Sequence, residues 1–145
     1  MAFTEDKILT EKSFDRMGWH DCPIYGIRFE DEILFDLDYI LKWEVHEKSS
    51  SYKFWIAPAT LIFHKPQNLK IDIEMDFING LEIADIEKEK SNKKNFRWII
   101  KTQEGEISFE SPGYTQYLRL KPKFVKNICL TEKERHGYCF DLKAF

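Results

Sequence analysis

Glycine and proline are scarce in this 145-residue chain, at 6 and 5, which excludes a collagenous, low-complexity or linker-dominated protein. Cysteine is scarcer still. Cys22, Cys129 and Cys139 contain no CxxC spacing, and their odd number does not suit a fully paired disulfide scaffold. No apolar run approaches the roughly 18 residues of a membrane-spanning helix. The opening MAFTEDKILTEK carries acids where a secretory leader would carry its apolar stretch. Together these absences predict a cytoplasmic protein with reduced thiols and no membrane partner; a Cys129–Cys139 bridge across paired strands is the lesser alternative. An excess of positive charge is also missing. The formal net charge is −3, which argues against a dedicated nucleic-acid binder. Phosphate loops, nucleophile elbows, dinucleotide fingerprints and DxDxDG calcium loops are absent as well.

What is present is a large apolar and aromatic stock. Apolar residues make up 43% of the chain, with 12 Phe, 6 Tyr and 4 Trp, enough to fill the core of one domain spanning 1–145. Residues 1–16 read as a poorly ordered or short helical leader to it, with Thr4 as a cap. After Cys22 the dominant signal is alternation with a period of two. Pairing arithmetic tests it. A three-residue loop at Glu30-Asp31-Glu32 sets Phe29 opposite Ile33, Ile27 opposite Phe35 and Tyr25 opposite Leu37, so the large apolar side chains share one face. A Pro66-Gln67-Asn68 loop likewise aligns Leu61 with Ile73 and Phe63 with Ile71. A Glu104-Gly105 turn aligns Ile100 with Phe109, and a Pro112-Gly113 turn aligns Ile107 with Leu118. Strands are predicted over about 23–29, 33–44, 52–57, 59–64, 69–77, 80–87, 96–103, 106–111, 114–121, 124–130 and 138–142. The expected fold is all-β, a single antiparallel sandwich or up-and-down barrel. At most one or two short helical segments accompany it, one of them over Thr131–Gly137, where Thr131 and Glu134 have capping-box spacing.

Two groups of side chains are candidates for function. The first is a pocket built from Trp19, His20, Asp21 and the more distant His64, in which Asp21 orients His20 beside the Cys22 thiol. Consecutive residues point in different directions, however, so the structural reading, a Trp anchor with turn-bonding neighbours, is favoured. His46, His64 and His136 lie scattered without metal-binding spacing, and neither a metal, a cofactor nor a catalytic residue is assigned. The second group is acidic: Asp36 and Asp38 alternate with Phe35, Leu37 and Tyr39, and Asp72, Glu74 and Asp76 alternate with Ile71, Ile73 and Met75. This is the polar outer face of a half-buried sheet. It is also an electrostatic lure for a basic protein partner. The first 76 residues concentrate that charge, with 15 acids against 9 bases. The bases of the second half, Arg97, Lys101, Arg119 and Lys121, are expected to be offset by Glu106 and Glu110 on the same face.

The stretch WHDCPIYGIRF followed by ILFDLDYIL resembles the opening of small bacterial β-domains, some of them similar to immunity proteins of polymorphic toxin systems. The residues that carry it are Trp19, His20, Asp21, Cys22, Ile24, Ile27, Asp36 and Asp38. The resemblance implies a cytosolic, non-catalytic protein that binds and blocks a toxin, and it brings no catalytic residues. The expected function is therefore protein binding through the acidic face, with homodimerisation a further option. The alternative is a small-molecule-binding β-barrel or small enzyme with its pocket near Trp19 and His20.

Overall fold

The computed structural model describes residues 6–45 and 52–145. The chain is all-β and antiparallel. Among the described residues ten strands run β1 (Ile8–Thr10), β2 (Pro23–Phe29), β3 (Ile33–Val45), β4 (Tyr52–Phe63), β5 (Gln67–Ile73), β6 (Leu81–Lys90), β7 (Phe96–Thr102), β8 (Gly105–Ser111), β9 (Tyr114–Leu118) and β10 (Lys123–Val125). They form one open sheet in the order β1-β9-β4-β3-β2-β6-β7-β8-β5, with β10 paired to β4. Neither end of that order closes on the other. The sheet nevertheless curls over itself: Phe63 on β4 meets Trp98 on β7 and Phe109 on β8, at ring-centroid distances of 5.3 and 4.7 Å. Tyr114 and Trp19 pack into the same aromatic cluster.

The helical parts are as small as expected. Glu11–Arg16 forms a 3-10 turn after β1, in place of a helix starting at Thr4, a residue outside those described. Glu132–Arg135 is a single turn, α1, closed by a complete Thr131–Glu134 capping box and a left-handed His136. No strand forms over 138–142.

The first hairpin pairs as the apolar pattern dictates, with Phe29 opposite Ile33 and Ile27 opposite Phe35. A bulge then places Ile24, and not Tyr25, opposite Leu37. The extra residue frees Tyr25 to turn toward Asp38, which becomes important below. Residues 52–63 run as one strand through Pro58. The Pro58 carbonyl accepts from the Arg119 amide (2.9 Å), so its missing N–H falls in the gap between the end of β9 and the start of β10.

Four further expected pairings are corrected. Leu61 and Phe63 do not face Ile73 and Ile71, because β4 takes β3 and β9 as neighbours while β5 crosses to the far end of the sheet beside β8. Ile107 does not face Leu118, since the chain turns at Ser111–Gly113 from one half of the curled sheet to the other. Ile100 pairs with Ile107, and Trp98 with Phe109. The turn residues are therefore Gln103-Glu104, and Gly105 opens β8 at φ +141°. A Cβ at Gly105 would lie 1.9 Å from the Asp72 carbonyl oxygen. Only glycine lets β5 approach so closely there.

Candidate functional site

The two acidic groups predicted to share a solvated face part company completely. Asp36 and Asp38 are wholly buried, because residues 130–140, after β10, lie over them and Gly26 and, with Arg119, clasp both carboxylates. Arg135, presented by the capped turn α1, sends Nη2 to Asp36 Oδ1 (2.7 Å), Nη1 to Asp36 Oδ2 (3.2 Å) and Nε to Asp38 Oδ1 (3.2 Å). Arg119 donates Nη2 to Asp36 Oδ1 (2.6 Å) and Nη1 to the Thr60 hydroxyl (2.8 Å). The Tyr25 hydroxyl and the Leu130 amide donate to Asp38 Oδ2 at 2.7 and 2.9 Å, and the Cys139 amide donates to Asp36 Oδ2 at 3.0 Å. The Arg135 guanidinium also lies 3.7 Å over the Tyr25 ring, and Phe140 fills the space a Cβ on Gly26 would need.

Two anions and two cations thus neutralise each other with every carboxylate oxygen engaged. Both Asp36 oxygens and Asp38 Oδ2 accept two bonds each and Asp38 Oδ1 one, so the carboxylates are occupied by the protein's own donors. The cluster's chemistry is that of a clasp. Asp36 and Asp38 leave the interaction face, and Arg119, expected to be offset by Glu106 and Glu110, serves the clasp instead.

Nor does the pocket at Trp19 assemble. Trp19 is buried and donates Nε1 to Gln116 Oε1 (2.8 Å) on β9. His64 Nε2 lies 2.8 Å from the hydroxyl of Thr115, the preceding residue of β9. Neighbours on a strand point to opposite faces, so Trp19 and His64 sit on opposite sides of β9. His20 projects outward with Nδ1 donating to the Ala84 carbonyl (3.0 Å) and Nε2 3.4 Å from Asp21. Asp21 adopts the left-handed conformation of a turn, φ +65°. Cys22 points into the core, where burial pushes its thiol up to about 12, so it is no nucleophile at neutral pH. The open groove beside Trp19, about 480 Å³, is walled by Phe14, Met17 and residues 85–89 and contains neither His20 nor His64. His46 lies outside the described residues. Among the described residues no three His, Cys, Asp or Glu side chains are placed to hold a metal, the three cysteines are free, and no helix is long and apolar enough to cross a membrane.

Asp72, Glu74 and Asp76, in contrast, are exposed. Their surroundings were not visible in the sequence. Asp72 pairs directly with Glu106 on β8, and the Glu74 amide continues the ladder by donating to the Glu104 carbonyl (3.1 Å). Two successive acid–acid rows therefore sit across the β5–β8 boundary, an arrangement that costs stability. Lys101, opposite Glu106, lines the same open cleft as Asp72, Glu74 and Glu104 and is shared with Glu87, 2.9 Å away. Lys70, at the start of the acidic row, faces Ser108.

An open groove of about 480 Å³ beside these rows is lined by Glu74, Met75, Asp76, Phe77, Asn79, Gln103 and Glu104. Large apolar side chains stand at its rim and along β5: Phe77 and Ile78 are 75% and 93% exposed, and Leu69 and Ile71 43% and 49%. Exposed apolar side chains thus stand beside clustered carboxylates on this surface. Comparison with family models, curated proteins and solved structures finds no match to the chain.

Proposed function

We propose that this chain is a non-catalytic protein-binding domain that captures a basic partner on the acidic surface of β8 and β5. The observation that carries this reading is the pair of acid–acid rows, Asp72–Glu106 and Glu74–Glu104, four carboxylates beside Lys101, which Glu87 also holds, flanked by exposed Ile71, Phe77 and Ile78. A fold gains nothing by itself from carboxylates set against one another; a cationic protein docking there relieves the repulsion and covers the apolar rim. Charge would speed encounter, while Phe77 and Ile78 supply the contact that slows release. The likeness of the Trp19–Ile27 stretch to immunity-type domains supports the same class of activity, binding and blocking a toxin.

The test is capture of the partner by the intact chain and by the Asp72→Lys/Glu74→Lys variant. The reversed surface should lose about tenfold or more in affinity at low salt and much less at high salt, through slower association. Equal capture by both proteins at both ionic strengths would refute the acidic surface.

A further inference from the structure

Among the described residues, strand β5 ends the sheet and has a single hydrogen-bonded neighbour, β8. The other end, β1, is only three residues long, which blunts it as a template. β5 is blunted only in its first half, where a bulge at 67–70 carries Asn68 at φ +55°. Beyond the bulge the register is regular, and the direction of each backbone group follows. The Glu74 amide bonds to Glu104 on β8, and the Asp72 carbonyl abuts Gly105. Residues 72 and 74 therefore turn their polar backbone toward β8. In an antiparallel ladder the alternate residues, Ile71 and Ile73, turn theirs to the open edge.

The geometry points to strand addition: a partner segment in extended conformation pairs with β5 along Ile71–Met75, its basic side chains facing Asp72 and Glu74. This inference rests on the protein-binding reading above and specifies the partner's chemistry. An incoming strand with alternating basic and apolar residues places its cations beside the acidic rows and its apolar residues against Ile71 and partly buried Ile73. A basic side chain at its end reaches the groove between Asp76, Glu104 and the exposed ring of Phe77. A second copy of this chain is the wrong occupant, because antiparallel pairing of β5 with itself would bring Asp72 and Glu74 against their own counterparts.

The probe is a synthetic octapeptide of alternating Lys and Val, titrated onto the full chain and followed by fluorescence anisotropy and amide hydrogen exchange. Binding should slow exchange at Ile71 and Ile73 and leave Asp72, already bonded to β8, unchanged. Ile71→Pro should weaken the peptide about tenfold or more with little effect on unfolding, since that N–H faces the open edge. A peptide N-methylated on every second amide should lose binding in one phase of methylation and keep it in the other, whatever the protein variant does to folding. Binding indifferent to Ile71→Pro and to both methylation phases, yet lost on Asp72→Lys/Glu74→Lys, overturns strand addition and leaves the acidic surface standing. Binding indifferent to all of them, no binding at millimolar peptide, or self-association through β5 also overturns the inference.

Discussion

Arg135→Ala lowers unfolding stability by about 3–5 kcal/mol, a large part of the roughly 5–15 kcal/mol that holds a domain together. The side chain is 3% exposed and bonds both wholly buried carboxylates. Its removal leaves Asp38 buried with only the Tyr25 hydroxyl and the Leu130 amide, and leaves Asp36 with Arg119 and the Cys139 amide. The cost is the stranded charge more than the lost bonds. Because Arg135 sits on the segment that covers β3, the variant should also expose that face. Amides around Leu130 and Cys139 should exchange faster than those in the core strand β7. Urea unfolding and hydrogen exchange read both effects. A loss below about 1 kcal/mol, the range of a solvated ion pair, would show that water reaches Asp36 and Asp38.

Stability also collapses on the alkaline side. Burial pushes the Cys22 thiol and the Tyr39 phenol each up to about 12. It raises Tyr114 as well, and Tyr25 too, where the hydrogen bond to Asp38 adds to the effect. Each folded-state value lies above its unfolded one, near 9 for the thiol and 10 for the phenols. Below those values both states are protonated, and these groups make stability independent of pH. Above them the unfolded chain ionises while the folded one does not, so each fully divided group removes about 1.4 kcal/mol per pH unit until its folded value is reached. Urea midpoints should therefore be level in this respect from pH 7 to 8.5 and fall steeply between about pH 9.5 and 11.5. Cys22 should resist alkylation at pH 8.5 while exposed Cys129 reacts. A midpoint unchanged to pH 11 contradicts the burial of Cys22, Tyr39 and Tyr114.

The fold class was legible because alternation is local. Phe29 opposite Ile33 needed only a loop of three residues and a rule about faces, and the Thr131–Glu134 cap needed only a spacing of three. Long-range placement was not. Hairpin arithmetic joins neighbours in the chain, so it paired β5 with β4 and β9 with β8, whereas the curled sheet sends β5 to its far edge and brings β9 back to β4. The same limit hid the difference between the two acidic groups. Asp36 and Asp72 carry one signature, an acid between apolar neighbours, and that signature is identical whether the outer side meets water or an arginine. The partner that decides it, Arg135, lies 99 residues from Asp36 and reaches it only through a capped turn after β10. Tyr25 was misplaced for a related reason: a single-residue bulge, invisible in the alternation, turned it from the apolar row to Asp38. The acid–acid rows on β5 and β8 depend on that same unforeseen pairing.

The carboxylates of this chain thus divide by environment into two kinds of work. Asp36 and Asp38 hold Arg119 and residues 130–140 against the sheet, while Asp72 and Glu74 stand opposed to other acids at an open edge. The second set is kept at a cost to the fold, and that cost is measurable. Urea unfolding of the Asp72→Asn/Glu74→Asn variant at low salt tests it most directly. Removing the opposed charges should raise stability by a few tenths to about 1 kcal/mol while weakening capture of a basic partner. A variant that is less stable than the parent, or that binds as well, would show that these acids serve the fold and not a partner.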